Sequence, residues 1–238
     1  MDFVKYPKTL ALEKVLSADA NLDAIIGDNQ QLIVEEKMDG TQVGFQFDTQ
    51  AQPVLQSRGT IITSEPEFSW LKSWVWQHYQ SLYNCLQQRY IVFGEWLWAK
   101  HTIFYDRLPH YWLEFDVYDR VSSVFLSTSE RQQLFTGMDF IHSVRVIDNL
   151  KHTNLTGLRS MIRKSAFISS QTYPQLDSQE LAQTDTTGLM EGLYLKVEDE
   201  QQVITRYKLV RPEFIEQIVN KAEHWRQRPL VNNKIITF

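Results

Sequence analysis

Three consecutive runs, Gln31–Lys37, Thr41–Asp48 and Pro53–Ser57, constrain this chain most. Each has strand length, and only a few residues separate each run from the next. A connection that short can reverse a strand, whereas a parallel neighbour needs a crossover of about a dozen residues or more. The runs therefore predict antiparallel sheet. Further strands are expected at Tyr90–Trp98, Tyr111–Tyr118, Val121–Leu126, Val144–Ile147, Met190–Val197 and Gln202–Val210. Helices interrupt them. Residues 8–17 read as a short one. Over 66–88, Phe68, Leu71, Val75, Tyr79, Leu82 and Leu86 recur at steps of three and four, which marks one apolar helix face. Core packing is the expectation for Trp70, Trp74 and Trp76 in the same stretch. Ser127-Thr-Ser-Glu130 is a capping box that opens a helix. Another helix covers 156–167 with Arg159, Arg163 and Lys164. Residues 171–188 are polar and are expected to include a loop, and Pro212 opens a last helix to about His224. The predicted fold class is α+β, with largely antiparallel sheets flanked by helices.

Composition excludes several function classes. The chain is 43% hydrophobic and 22% charged, with nine Gly and seven Pro in 238 residues, so it is neither disordered nor collagen-like. No apolar run approaches the roughly 20 residues of a membrane helix. Cys85 is the lone cysteine, which leaves no internal disulfide and no multi-cysteine metal cage. The six histidines show no zinc spacing. A soluble, reducing, cytoplasmic setting is expected. The net charge of −5 argues against a protein coated in nucleic acid. Yet residues 206–238 carry seven Lys/Arg against three Glu. That basic end suits one local phosphate-binding surface or a solvated helix face.

The chemistry-bearing residues fall on strand ends and strand faces. Lys37-Met-Asp-Gly40 places a lysine at the end of an apolar strand before a tight turn. Burial and nearby cations can lower a lysine pKa and expose its lone pair for nucleophilic attack. In Ile91-Val-Phe-Gly-Glu-Trp-Leu-Trp98, alternation puts Glu95 beside Phe93 and Leu97. A carboxylate there needs a partner, whether a ribose hydroxyl, a metal or a basic side chain. Phe115 in Leu113-Glu-Phe-Asp-Val-Tyr-Asp119 shares a face with Leu113 and Val117, and it either packs the core or stacks on a base. Glu191 in Glu191-Gly-Leu-Tyr-Leu-Lys196 is again an acid among apolar neighbours. Lys196 points the other way unless a bulge at Gly192 turns it. Arg206 and Lys208 share one strand face and repel unless an anion lies between them. Ser57-Arg58-Gly59 pairs with a phosphate or a ribose, or is only a turn.

In this order, the motifs from Lys37-Met-Asp-Gly through Ser57-Arg-Gly, Phe93-Gly-Glu95, Phe115-Asp-Val-Tyr-Asp, Glu191-Gly-Leu-Tyr-Leu-Lys196 and Tyr207-Lys208 resemble the covalent nucleotidyltransferases. Among these, the chain is most similar to the ATP-dependent RNA ligases, over about residues 33–230. The resemblance implies that Lys37 attacks the α-phosphate of ATP and becomes Lys–AMP. Glu36 would contact the nucleotide, Arg58 the AMP or the accepting RNA end, Glu95 the ribose and Phe115 the adenine. Lys196, Lys208 and Arg206 would act on the phosphates, with Asp39 in the catalytic set. Glu191 and Asp116 would hold Mg²⁺ or Mn²⁺. The AMP would pass to a 5′-phosphate on RNA, nicked or duplexed, for sealing by a 3′-hydroxyl. An end-healing kinase or phosphatase would supply such ends. Lys221, Arg226 and Arg228 in the basic tail are the expected RNA contacts. Only 27 residues follow Arg211, which predicts a single adenylyltransferase domain over 1–238 without an oligonucleotide-binding barrel. The alternatives are a minimal DNA ligase and a non-catalytic RNA-end binding module.

Overall fold

A computed structural model describes residues 3–16, 22, 25–169, 173, 176–220 and 230–236. Along the chain run β1 (Leu10–Ala11), β2 (Gln31–Lys37), β3 (Thr41–Phe47), β4 (Pro53–Ser57), β5 (Ile61–Ile62), α1 (Ser69–Gln77) and α2 (Tyr79–Leu86). Then come β6 (Tyr90–Trp96), β7 (Trp112–Asp119), β8 (Val124–Phe125), α3 (Thr128–Leu134), β9 (Val146–Leu150) and α4 (Leu155–Met161). The chain continues through α5 (Ser178–Ala182), β10 (Gly192–Glu198), β11 (Val203–Val210) and α6 (Pro212–Asn220). The α+β expectation holds. One sheet has the order β5-β4-β3-β6-β7-β8 and the other β1-β11-β10-β2-β9. Among the pairs of named strands in the described residues, β1 against β11 is parallel and the rest are antiparallel. No described helix is long and apolar enough to cross a membrane.

One expectation changes in a way that makes the site. β2 and β3 are not a hairpin, because they belong to different sheets. The Met38-Asp-Gly40 turn carries the chain from one sheet to the other, and Lys37 therefore ends β2 where the two sheets face each other. Gly40 is required there, since a Cβ would lie 2.6 Å from the Trp96 carbonyl oxygen. That backbone contact has no flexible end to move aside.

Alternation decides which face each strand buries. Val43, Phe45, Val92, Trp96 and Trp112 form one core with Leu71, Trp74, Leu82 and Leu86 of α1 and α2. On the far side of the other sheet, Leu32, Val34, Leu193, Leu195, Tyr207 and Leu209 pack with Leu155 and Leu158 of α4. Between the sheets lies a third core that includes Ile91, Phe93, Leu113 and Phe115. The inner face of the five-stranded sheet is mostly polar: Glu35 pairs across from Tyr194, Lys196 from Arg206, and Tyr194 from Lys208.

Local differences have local causes. The 66–88 helix is two helices broken at His78, whose backbone leaves the helical region (φ −101°, ψ 14°). Its apolar face survives the break. Trp74 is core, but Trp70 and Trp76 are 39% and 52% exposed, so core packing fails for those two. The described part of the 8–17 stretch, residues 8–16, makes no α-helix: Leu10 and Ala11 pair with Tyr207 and Lys208, leaving one 3₁₀ turn. Ser127 does cap α3 by accepting from the Glu130 N–H. The reciprocal capping box sits instead at Asp177 and Glu180, and it builds α5 within the polar 171–188 stretch. A register shift between Phe93 and Gly94 gives β7 an extra residue, so Leu113 and Val117 point into different cores. The common face predicted for Leu113, Phe115 and Val117 is thereby split, with Phe115 on the inter-sheet side.

Candidate functional site

A cavity of about 530 Å³ opens between the sheets. Its lining includes Glu36, Lys37, Arg58, Glu95, Phe115 and Lys208 from the sequence-predicted set. It also includes Tyr6, Lys8, Thr9, His101 and Tyr194, to which the sequence-based expectations give no role.

Lys37 Nζ lies 2.8 Å from both carboxylate oxygens of Glu191. Glu191 stands one residue before β10, outside the alternation that seemed to align it with Leu193. Burial alone would lower the Lys37 pKa, but the charges of Glu191, Glu95 and Asp39 outweigh it and hold the amine above its ordinary value. This corrects the expectation that cations keep Lys37 neutral. Without a ligand its neighbours are acids, and it is protonated. The acids carry the reciprocal strain. Burial raises Glu95 to about 8 and Glu191 to about 7, against the pull of Lys37. Glu95 also accepts from the Gly40 N–H at 3.1 Å, which ties it to the turn.

Asp39 works on the backbone rather than facing the cavity. Its carboxylate accepts from the N–H groups of Thr102 and Ile103 at 2.7 and 2.8 Å, and its own N–H donates to the Tyr105 hydroxyl at 2.9 Å. These bonds fix the turn that carries Lys37. Glu36 is 1% exposed at the cavity floor, and burial raises its pKa.

Three predicted residues sit behind the cavity wall in a buried ion network. Lys196 is fully buried, 2.9 Å from Glu35 and 3.2 Å from Asp116, and it donates to the Phe115 carbonyl. No bulge at Gly192 re-aims it, because β10 keeps register with β2 from Gly192 onward. Arg206 lies 3.4 Å from Asp116, with its guanidinium 4.2 Å above the Phe125 ring. Arg206 is thus answered by this chain's own carboxylate rather than by an anion shared with Lys208. Asp116 also accepts from the Tyr6 hydroxyl, and its cationic neighbours keep its pKa low despite burial. Asp116 is therefore engaged with Lys196 and Arg206, not presented beside Glu191 as a second metal ligand. Arg131 completes the network, paired with Glu114 at 2.5 Å and Glu35 at 2.9 Å. Nothing in the local sequence of α3 marks Arg131. The acids Glu35 and Glu114 are legible only as charges within apolar strands.

Lys208 and Arg58 have no ion pair among the described residues. Burial and then the nearby Lys37 charge lower the Lys208 pKa, with Arg58 and Lys8 adding repulsion. The cavity thus joins a carboxylate-rich end to unpaired cations and an aromatic wall. Among the described residues, no three His, Cys, Asp or Glu side chains cluster as a closed metal cage. Carboxylate oxygens suit a hard, partly hydrated divalent cation, and both Glu191 oxygens are occupied by Lys37 here. Lys221, Arg226 and Arg228 lie outside the described residues.

The RNA ligase family model matches residues 30–210. No curated protein matches the chain. Among solved structures, it is similar to variants of the Naegleria gruberi RNA ligase, one with ATP and manganese (TM-score 0.58, 14% identity) and one with AMP and manganese (TM-score 0.61, 13% identity). Each alignment covers 90% of this chain and 58% of that one. The same ligase with pyrophosphate aligns at TM-score 0.59 and 15% identity, over 92% and 59% of the two chains. These likenesses extend to the fold, and the chain spans less than two thirds of the relatives' length.

Proposed function

This chain belongs to the RNA ligase family, and from that premise we propose that it is an ATP-dependent RNA ligase working through a Lys37–AMP intermediate. The observation that carries the reading is Lys37 at a sheet-to-sheet crossing, facing a cavity with acids on one side and unpaired Lys208 and Arg58 on the other. In the first step, the Lys37 Nζ lone pair forms a P–N bond to the α-phosphorus. The α–β phosphoanhydride bond breaks, pyrophosphate leaves with its electron pair, and the amine proton passes to solvent. Such phosphoryl transfer depends mostly on positioning and charge neutralisation. Lys208 and Arg58 supply positive charge, and Glu95 accepts from a ribose hydroxyl. A divalent cation, Mg²⁺ or Mn²⁺, adds charge neutralisation when held by Glu191. Asp39 serves by fixing the turn. Arg206, Lys196 and Asp116 serve by holding Phe115 and Tyr194 in place.

The adenylyl group then passes to a 5′-phosphate of RNA, nicked or duplexed, and a 3′-hydroxyl displaces AMP. Ends of that chemistry come from a kinase or phosphatase partner in the cytoplasm. The nucleotidyltransferase unit accounts for residues 1–238. Incubation with labelled ATP, then with nicked duplexes carrying RNA or DNA on each side, tests the reading.

Phe115 is 8% exposed, lines the cavity and meets Tyr6 edge-on at 5.5 Å. If it stacks on adenine, Phe115→Ala weakens ATP use by roughly 1–3 kcal/mol. Phe115→Tyr then retains most activity and Phe115→Leu does not. A Leu variant equal to wild type beside an inactive Tyr variant would assign Phe115 to packing alone.

The basic tail gives a separate expectation. Replacing Lys221, Arg226 and Arg228 together by Ala leaves Lys37 labelling nearly intact and lowers sealing. It also flattens the salt dependence of RNA binding, by about 0.7–0.9 in log–log slope for every phosphate that is no longer neutralised. Unchanged binding and sealing at every salt concentration would return these charges to solvent.

A further inference from the structure

Lys8 belongs to a segment that precedes the family-matched region, yet it lines the same cavity as Lys37, Arg58 and Lys208. The chain around it is fastened on both sides. Upstream, the Val4 carbonyl accepts from the Gln56 side chain at 2.8 Å. Tyr6 is 4% exposed, and its hydroxyl joins Asp116 and, at 2.5 Å, the Tyr194 hydroxyl. Downstream, Thr9 reaches the Tyr194 hydroxyl at 3.3 Å, and β1 pairs in parallel with β11 at Tyr207 and Lys208. Lys8 itself is exposed and has no ion pair among the described residues. A backbone pinned on both sides has already given up its freedom before a ligand arrives, which lowers the cost of binding one.

The charges explain why the lysine is held there. Lys208 feels repulsion from Lys37, Arg58 and Lys8. Lys37 is paired with Glu191, whereas the other three make no ion pair among the described residues, although the Glu191 charge also acts on Lys208. Cations gathered on one cavity, three of them outside any ion pair among the described residues, make a site for an anion of high charge density. From this arrangement we infer that Lys8 is a ligand of the β- and γ-phosphates of the nucleotide, the portion that leaves as pyrophosphate. This deepens the ligase reading and rests on it. The same phosphate chemistry could come from the 5′-phosphate of RNA, and the experiment separates the two sources.

The full chain is compared as wild type, Lys8→Ala, Lys8→Arg and Lys8→Glu, with folding checked by thermal melting, which an exposed side chain leaves unchanged. Lys37 labelling is measured against ATP concentration. The reverse reaction, release of ATP from adenylylated protein, is measured against pyrophosphate. For Lys8→Ala, the half-saturating concentrations of both ATP and pyrophosphate rise about tenfold, the scale of one charge-assisted hydrogen bond. They rise further for Lys8→Glu and stay near wild type for Lys8→Arg. Transfer to RNA from protein adenylylated beforehand is unchanged. Calorimetric titration with inorganic pyrophosphate reads the same contact without catalysis, so it still judges Lys8 if the protein makes no adenylate. Equal pyrophosphate affinity in wild type and Lys8→Ala overturns the assignment. So does a loss confined to RNA transfer, which would give Lys8 to the 5′-phosphate.

Discussion

Lys37→Ala abolishes covalent labelling by ATP, a fall of at least about a thousandfold, as expected when a nucleophile is removed. The wild-type adduct is a phosphoramidate, lost in acid and stable in alkali. The pH profile of labelling carries the finer expectation. The amine attacks only when neutral, and Glu191 at 2.8 Å with Glu95 keeps it protonated beyond the ordinary lysine range. Labelling therefore climbs with pH, because raising the pH toward that elevated pKa enlarges the neutral fraction. Glu191→Gln removes the largest factor raising the Lys37 pKa and leaves burial, which lowers it. The alkaline climb then moves to lower pH, while the maximum falls with loss of the carboxylate assigned to the metal. Labelled Lys37→Ala protein would place the nucleophile elsewhere. An unshifted profile in Glu191→Gln would mean that this ion pair does not govern the amine.

The site is legible where one residue type contradicts its surroundings. Glu95 within an apolar strand and Lys37 before Asp-Gly both signal polar groups held against a core, and both line the cavity. What the sequence could not carry was partnership across sheets. A short turn reports a reversal of the chain, not which sheet receives it, so the crossing from β2 to β3 reads as a hairpin. Strict alternation fails at Phe115 because one extra residue in β7 leaves no mark in composition. Arg206 shares the polar face with Lys208, as their spacing required, and Lys196 lies across from Arg206 on that face. Yet only the depth of Asp116 and Glu35 separates cations committed to internal pairs from the one left for a ligand. The 8–17 segment misleads for a related reason: its strand partner lies almost two hundred residues away, beyond any local pattern.

Arg131→Met destabilises the fold by about 3–5 kcal/mol, the usual cost of removing one partner from a buried ion pair. Arg131 is 2% exposed, Glu114 and Glu35 are fully buried, and one guanidinium serves both carboxylates. Lys196 still faces Glu35, and the Ser143 hydroxyl still donates to Glu114 at 2.7 Å, so the loss falls mainly on Glu114. For a domain of this size, the melting temperature drops by about 6–20 °C. Adding Glu114→Gln to Arg131→Met removes the stranded charge and recovers some of the loss, a coupling that simple cavity formation would not give. A melting curve for Arg131→Met that overlies wild type would mean that the network does not bear on stability. The functional consequence follows from Lys196, which donates to the Phe115 carbonyl while paired with Glu35. With Arg131 gone, Glu35 is held by Lys196 alone, and the clamp between β10 and β7 loosens. ATP use in the surviving folded fraction should then weaken in the same direction as in Phe115→Ala, though Arg131 never lines the cavity.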